Sequence, residues 1–211
     1  KGVLGSFRLE SHGVDLPNEI AIINRAELSD THVQLLLNDT TATPKDTTQS
    51  EVRWKVDLRH LKLKNVSFSM QLPADSMRLA AHVGEAQVND AEADLKNLHY
   101  GLRSFLVSGT SVNYDVGTAE PAEGFDPSHI ALRDIRIGLD SMYYRGRNMN
   151  AVIREFSMND RSGLSVTSLT GRVFANDTII QVPSFKLLTP HSEMDLTAQT
   201  YWELVNIPTT G

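Results

Sequence analysis

Apolar residues in this chain recur at every second position over many short windows, and rarely at the three-and-four spacing of a helix. Examples are Leu61 and Leu63, then Val66, Phe68 and Met70; Leu132, Ile135, Ile137 and Leu139; Phe156 and Met158; and Ile180, Val182, Phe185 and Leu187. The intervening positions carry Lys62, Lys64, Ser67, Ser69, Arg136, Ser157, Gln181 and Lys186, which are comfortable in water. Successive side chains of a strand point to opposite sides, so this alternation predicts an all-β chain with one buried and one wet face. After Leu63 the alternation slips by one at Lys64-Asn65 and resumes at Val66. A slip of one residue predicts a bulge or corner where the sheet bends.

The segment Pro73 to Leu95 is the main challenge to an all-β reading, because its alanines and acids favour helix. Met77, Leu79, Ala81 and Val83 nevertheless alternate strictly, and Ala86 and Val88 resume after Gly84, so strand is expected. Asn-Asp pairs at 38–39, 89–90, 159–160 and 176–177 tolerate left-handed backbone and are expected at hairpin corners. The polar stretches Asn38 to Glu51 and Asp115 to His129 lack apolar period and are expected to be exposed loops.

Several phrases recur in order. LRHLKL (Leu58 to Leu63) is echoed by LRDIRI (Leu132 to Ile137), Asp75-Ser76-Met77 by Asp140-Ser141-Met142, EAQVND (Glu85 to Asp90) by EFSMND (Glu155 to Asp160), and Ser104-Phe105 by Ser184-Phe185. The order suggests one β-repeat module over 1–211, with units at 58–116 and 132–196 and a partial unit at 1–37. Repeats bury their apolar face chiefly against neighbours.

The residue types present exclude more chemistry than they offer. There is no cysteine, which removes disulfides, thiolate nucleophiles and cysteine-based metal sites. A formal charge of −6 on 211 residues, with no local cluster of lysine and arginine, argues against a nucleic-acid partner. No apolar run approaches the length of a membrane span, and the chain, which starts at Lys1-Gly2, reads as a mature or excised segment. Seven histidines are scattered as surface or turn residues without metal-ligand spacing, and no nucleophile elbow, phosphate loop or calcium loop occurs. The pairs Asp134/Asp140 and Glu85/Asp90 are the carboxylates to consider for hydrolysis, but they coincide with repeated strand ends and turns and read as solvated. Asn38, Asn65 and Asn176 each begin an Asn-x-Ser/Thr triplet, with Val66 too apolar for an exposed loop. No catalytic residue, cofactor or metal is expected. The apolar face itself remains, with Leu61, Leu63, Val66, Phe68, Ile135, Ile137, Phe156, Met158, Phe185 and Leu187 as its candidate lining.

LKLKNVSFSM (Leu61 to Met70), HVGEAQVNDAEADL (His82 to Leu95), Gly124 to Tyr144 and Gly163 to Leu196 resemble the AsmA-like superfamily, most closely its TamB-like branch of translocation and assembly module proteins. The shared pattern is apolar-x-apolar-x-Asn/Asp-x-apolar. The resemblance implies an elongated, curved antiparallel β-repeat sheet, a half-pipe or taco-like groove with an apolar inner face. It also implies residence in the periplasm of a Gram-negative bacterium, as an internal fragment of a longer protein anchored in the inner membrane through parts outside this chain. The implied role is non-enzymatic: shielding phospholipid acyl chains between inner and outer membrane, or supporting assembly of outer-membrane β-barrel proteins. A trough suits lipid tails, since each CH₂ left in water costs about 0.8 kcal/mol. The alternative is a structural or adhesive β-sandwich, in which a second sheet closes over the apolar face.

Overall fold

The computed structural model describes residues 1–37 and 53–204. Eleven strands form one open sheet: β1 (Gly2–Val3), β2 (Ser6–Asp15), β3 (Ile20–Leu36), β4 (Lys55–Leu72), β5 (Met77–Asp94), β6 (His99–Asp115), β7 (His129–Arg145), β8 (Asn148–Asp160), β9 (Ser165–Ala175), β10 (Ile179–Leu188) and β11 (Glu193–Tyr201). From β3 to β11 the strands lie side by side in chain order, while β1 and β2 share the outer flank of β3. The all-β, mostly antiparallel architecture expected from the alternation is the one observed. The alanine-rich segment after Pro73 is strand β5, and the stretch between Asp115 and His129 is the loop joining β6 to β7. The polar stretch from Asn38 to Glu51, with its Asn-Asp pair, lies outside the described residues.

One pairing departs from the antiparallel rule. β3 and β4 run parallel, with Ile20 opposite Lys55 and Leu36 opposite Gln71. The chain therefore leaves β3 at one end of the sheet and enters β4 at the other, as parallel neighbours require.

The long strands are bent along two lines that cross the sheet. On the first, Asp30 (φ 50°) of β3 faces Asn65 (φ 52°) of β4, Gly84 of β5 lies next, and Gly109 (φ 58°) of β6 and Asp134 (φ 55°) of β7 follow. On the second, the ladders skip at Asn24-Arg25 of β3 and Arg59 of β4, Asp90 (φ 47°) of β5 faces Arg103 of β6, and Asp140 of β7 and Arg154 of β8 stand out of register. In β10 the same line falls at Pro183, inside a register shift between Val182 and Phe185, where a residue with no N–H is tolerated in a strand. Bulges bend strands and increase local twist.

These lines correct two sequence expectations. Asn89-Asp90 is no hairpin corner but lies inside β5, whereas Asn159-Asp160 ends β8 and Asn176-Asp177 does turn between β9 and β10. A left-handed Asp serves a mid-strand bend as well as a turn. Likewise Asp134 and Asp140 lie within β7, and Glu85 and Asp90 within β5, not at strand ends. LRHLKL straddles the second bend line on β4 and LRDIRI the first on β7, which runs the opposite way. The stretch 58–116 extends from β4 to just past β6, and 132–196 from β7 into β11.

Among the described residues no second layer covers the sheet: the contacts of any extent join lateral neighbours. The buried apolar residues are Ala21, Ala86, Val107, Ile135 and Ala175, three of them alanine, and no large side chain is fully buried. Ladder hydrogen bonds and cross-strand pairs, each worth roughly 0.2–1 kcal/mol, hold this sheet in place of a closed core.

Candidate functional site

Residues directly opposite each other on a ladder lie on the same side of the sheet, so registers can be chained from strand to strand. Starting at Leu9, the chain of partners reads Leu9, Ala26, Leu61, Val88, Phe105, Leu139, Ile153, Gly171, Phe185, Leu196. Starting two residues earlier at Phe7, it reads Phe7, Leu28, Leu63, Ala86, Val107, Ile137, Phe156, Leu169, Leu187, Met194. Both rows cross from β2 to β11 without one polar side chain. Ten strands at roughly 4.8 Å spacing make each row about 43 Å long.

The positions between the rows alternate to the other side, and there the chemistry changes. Arg8, Glu27, Lys62 and Gln87 form one registered row, continued by Leu106, Gly138 and Glu155, and at the far margin Lys186 faces Asp195. Lys62 reaches Glu85 at 3.4 Å and Lys186 reaches Asp195 at 3.1 Å. Hydrogen bonds from Gln87 and Lys62 hold the Glu85 carboxyl below its ordinary range. Along the second bend line Arg103 donates to Asp90 and Arg154 to Asp140, each at 2.6 Å. Arg145 of β7 bridges to Glu92 of β5 at 2.7 Å, passing over Gly101 of β6, where an added Cβ would lie 3.0 Å from Glu92 Cγ.

The structure places all ten sequence-derived lining residues in strands. Leu61 and Phe185 fall in the first row, and Leu63, Ile137, Phe156 and Leu187 in the second. Of the other four, Val66 (facing Thr31 and Val83) and Phe68 (facing Val33 and Ala81) sit beyond the first bend line, Ile135 lies beside it opposite Thr110, and Met158 faces Val166. Sequence reading missed Phe105, Val107, Ile153 and Leu169 as members of the rows. Their alternation is visible in the sequence, but their lateral partners are set by hairpin registers.

A second feature sits at the sheet end where β4 turns into β5. Gln71, Arg78, Asp115 and His129 form one registered row, and Gly117, Thr118 and Pro121 of the following loop close a cleft of about 550 Å³ over it. His129 is buried, not at the surface as the sequence suggested, and its Nδ1 lies 2.9 Å from Asp126 Oδ2. Backbone N–H groups of Ala122 and Ser128, together with His129, hold the Asp126 carboxyl down to about 2. Beside it, burial pushes the Asp160 carboxyl upward, but hydrogen bonds from Ser162, Ala131 and Arg161 outweigh this and leave it below the ordinary range. Arg161 donates to the His129 carbonyl oxygen at 3.1 Å, so the Asp126–His129 pair and Arg161 together tie the loop to β7.

The described residues contain no group of three or more His, Asp or Glu able to hold a metal ion, and no helix long and apolar enough to cross a membrane. Of the Asn-x-Ser/Thr triplets, Asn65 lies within β4, Asn176 uses Oδ1 to accept the N–H groups of Thr178 and Ile179 in a turn, and Asn38 is outside the described residues. In comparisons with known proteins, no family model, no curated protein and no solved structure matches the chain.

Proposed function

We propose that this chain is a non-enzymatic β-groove module that shields phospholipid acyl chains, with the apolar rows as the inner face of the groove. The observation that carries the reading is the pair of ten-residue apolar rows with no layer over them among the described residues. Such a surface is continuous across ten strands, which scattered single surface hydrophobics are not. It also lacks any fixed polar group, so it suits flexible aliphatic material whose position need not be specified. An acyl chain laid along a row gains about 0.8 kcal/mol per CH₂ removed from water. The polar side, with its exposed ion pairs, faces solvent in this reading.

The resemblance to AsmA-like envelope proteins supports the same role and adds its setting: the periplasm, between two membranes, with phospholipid transport or outer-membrane protein assembly as the larger process. The sandwich alternative needs a second sheet over the rows, and the described residues supply none.

Mass spectrometry on gently purified protein is the deciding experiment, followed by titration with a fluorescent fatty acid. Bound phospholipid and saturable uptake are expected, with a rise in Tm on loading, because a ligand that binds only the folded state stabilises it. A lipid-free protein that also refuses the fatty acid would overturn the proposal.

A further inference from the structure

The cleft beside the β4–β5 turn holds charges that the fold itself leaves unused. Arg78, exposed, and Asp115, half-buried, are direct partners on the β5–β6 ladder, and both line the cleft. Among the described residues neither side chain has a hydrogen bond or an ionic partner, not even the other. Elsewhere in the sheet the same arrangement closes: Lys55 and Asp94, opposite each other on β4 and β5, meet at 3.2 Å. A volume of about 550 Å³ is ordinary for a small-molecule site.

His129 completes the row opposite Asp115. Its Nδ1 faces the Asp126 carboxylate, which only accepts, so Nδ1 carries the hydrogen and Nε2 of the neutral ring is left as an acceptor. The loop adds donors. Gly117, Thr118 and Ala119 line the cleft, and among the described residues none of their backbone N–H groups has an acceptor.

The cleft therefore has two poles. The Arg78 guanidinium and the loop N–H groups donate, while the Asp115 carboxylate and His129 Nε2 accept. An anion alone would meet Asp115, and a cation alone would meet Arg78. A small zwitterion satisfies both. Arginine grips phosphate through two parallel N–H groups, and the phosphate oxygens accept further bonds from backbone N–H groups such as those of the loop.

We propose that this cleft binds the phosphate ester of an amino alcohol, phosphoethanolamine being the simplest. The phosphate lies on Arg78 and the loop N–H groups, and the ammonium lies between Asp115 and His129 Nε2. A primary ammonium has hydrogens to give both acceptors, whereas a trimethylated one has none. Such a group exists free in water and as the head of a phospholipid. The assignment does not rest on what fills the apolar face.

Isothermal titration calorimetry of the whole chain with O-phosphoethanolamine tests this, with phosphocholine and inorganic phosphate as comparisons. Saturable binding is expected, at least about tenfold weaker for either comparison. Arg78→Gln lowers the affinity at least about tenfold, and Asp115→Asn abolishes the preference over phosphocholine. Neither side chain has a partner to lose, so both variants are expected to fold, which circular dichroism checks; the comparison probes need no variant at all. Dihexanoyl phosphatidylethanolamine below its micelle concentration identifies the source: tighter binding than O-phosphoethanolamine names a lipid head group, equal or weaker binding a soluble ester. Fatty-acid uptake by the unmodified chain reports on the apolar face separately, so either reading can fail while the other stands. No binding of O-phosphoethanolamine, equal affinity for phosphocholine or inorganic phosphate, or indifference to Arg78→Gln in a folded protein would each overturn the proposal.

Discussion

Asn65 donates its Nδ2 to Asp30 Oδ1 at 2.7 Å, joining two left-handed residues that face each other on the one parallel ladder of the sheet. Each of these positions carries a backbone conformation that Asn, Asp and Gly adopt readily and β-branched residues do not. Asn65→Val removes the hydrogen bond and forces a branched side chain to φ near 52°, so a loss of about 2–3 kcal/mol is expected. Asn65→Gly keeps the backbone and loses only the hydrogen bond, about 1 kcal/mol. Urea denaturation of the two variants separates the backbone contribution from the side-chain one.

Next on the same bend line, Gly84 leaves no space for a side chain: an added Cβ would lie 2.8 Å from the Gly109 carbonyl oxygen. Gly84→Val must push β5 and β6 apart, with an expected loss of about 2–4 kcal/mol, in the range of overpacking with a broken ladder. Gly13→Ala in β2 is the matched control, because nothing lies within 4 Å of its Cβ, and a change within about 0.5 kcal/mol is expected. Thermal melts of both variants suffice.

Those bends show how far the sequence could be followed. The slip at Lys64-Asn65 was legible because one residue's displacement switches every following side chain to the other parity, and the structure places a left-handed residue there. Asn89-Asp90 looked like a hairpin corner for the same chemical reason, and only the ladder of β5 with β4, which continues in the same register on both sides of Asp90, distinguishes bend from turn. LRHLKL and LRDIRI resemble each other because both write an apolar-Arg-polar-apolar-basic-apolar strand with a bend, at Arg59 in one and at Asp134 in the other, which is a local requirement. Lateral partners were not legible. Leu132 and Leu139 belong to one alternating series, yet Leu139 lies in the first apolar row and Leu132 beyond the bend line, facing Val112 and Asp160. Each row depends on nine successive registers, and those are set by turn lengths and bulges. The parallel pairing of β3 with β4 left no trace either, since the connecting residues carry no apolar period.

Acid should loosen the loop over His129 before the sheet. Asp126 is held down to about 2 from an ordinary 3.8, first by the Ala122 and Ser128 N–H groups and then by His129. A depressed carboxylate pKa contributes stability that is whole above the unfolded value, near 4, and is lost as pH falls through the folded one. Asp94 follows the same rule: N–H and side-chain hydrogen bonds from Asn97, then Lys55, bring it to about 2 in the turn between β5 and β6. Hydrogen exchange is therefore expected to rise in both segments between about pH 4 and pH 2. Asp126→Asn should remove that pH dependence from the 116–128 loop while leaving it at Asp94.

Ile137 and Arg136 are adjacent on β7 but point to opposite sides, Ile137 in the second apolar row beside Val107 and Phe156, Arg136 opposite Ser157 and exposed. A carboxylate at the first position interrupts the row, and leaving it dehydrated beneath an acyl chain costs several kcal/mol. At the second it meets water. Ile137→Asp is thus expected to lower fluorescent fatty-acid uptake at least tenfold, about 1.4 kcal/mol, whereas Arg136→Asp leaves uptake within about twofold. Circular dichroism must show both variants folded. Equal uptake by a folded Ile137→Asp would mean that the second row is not where the chain is held. Equal loss in Arg136→Asp would mean that the polar side takes part.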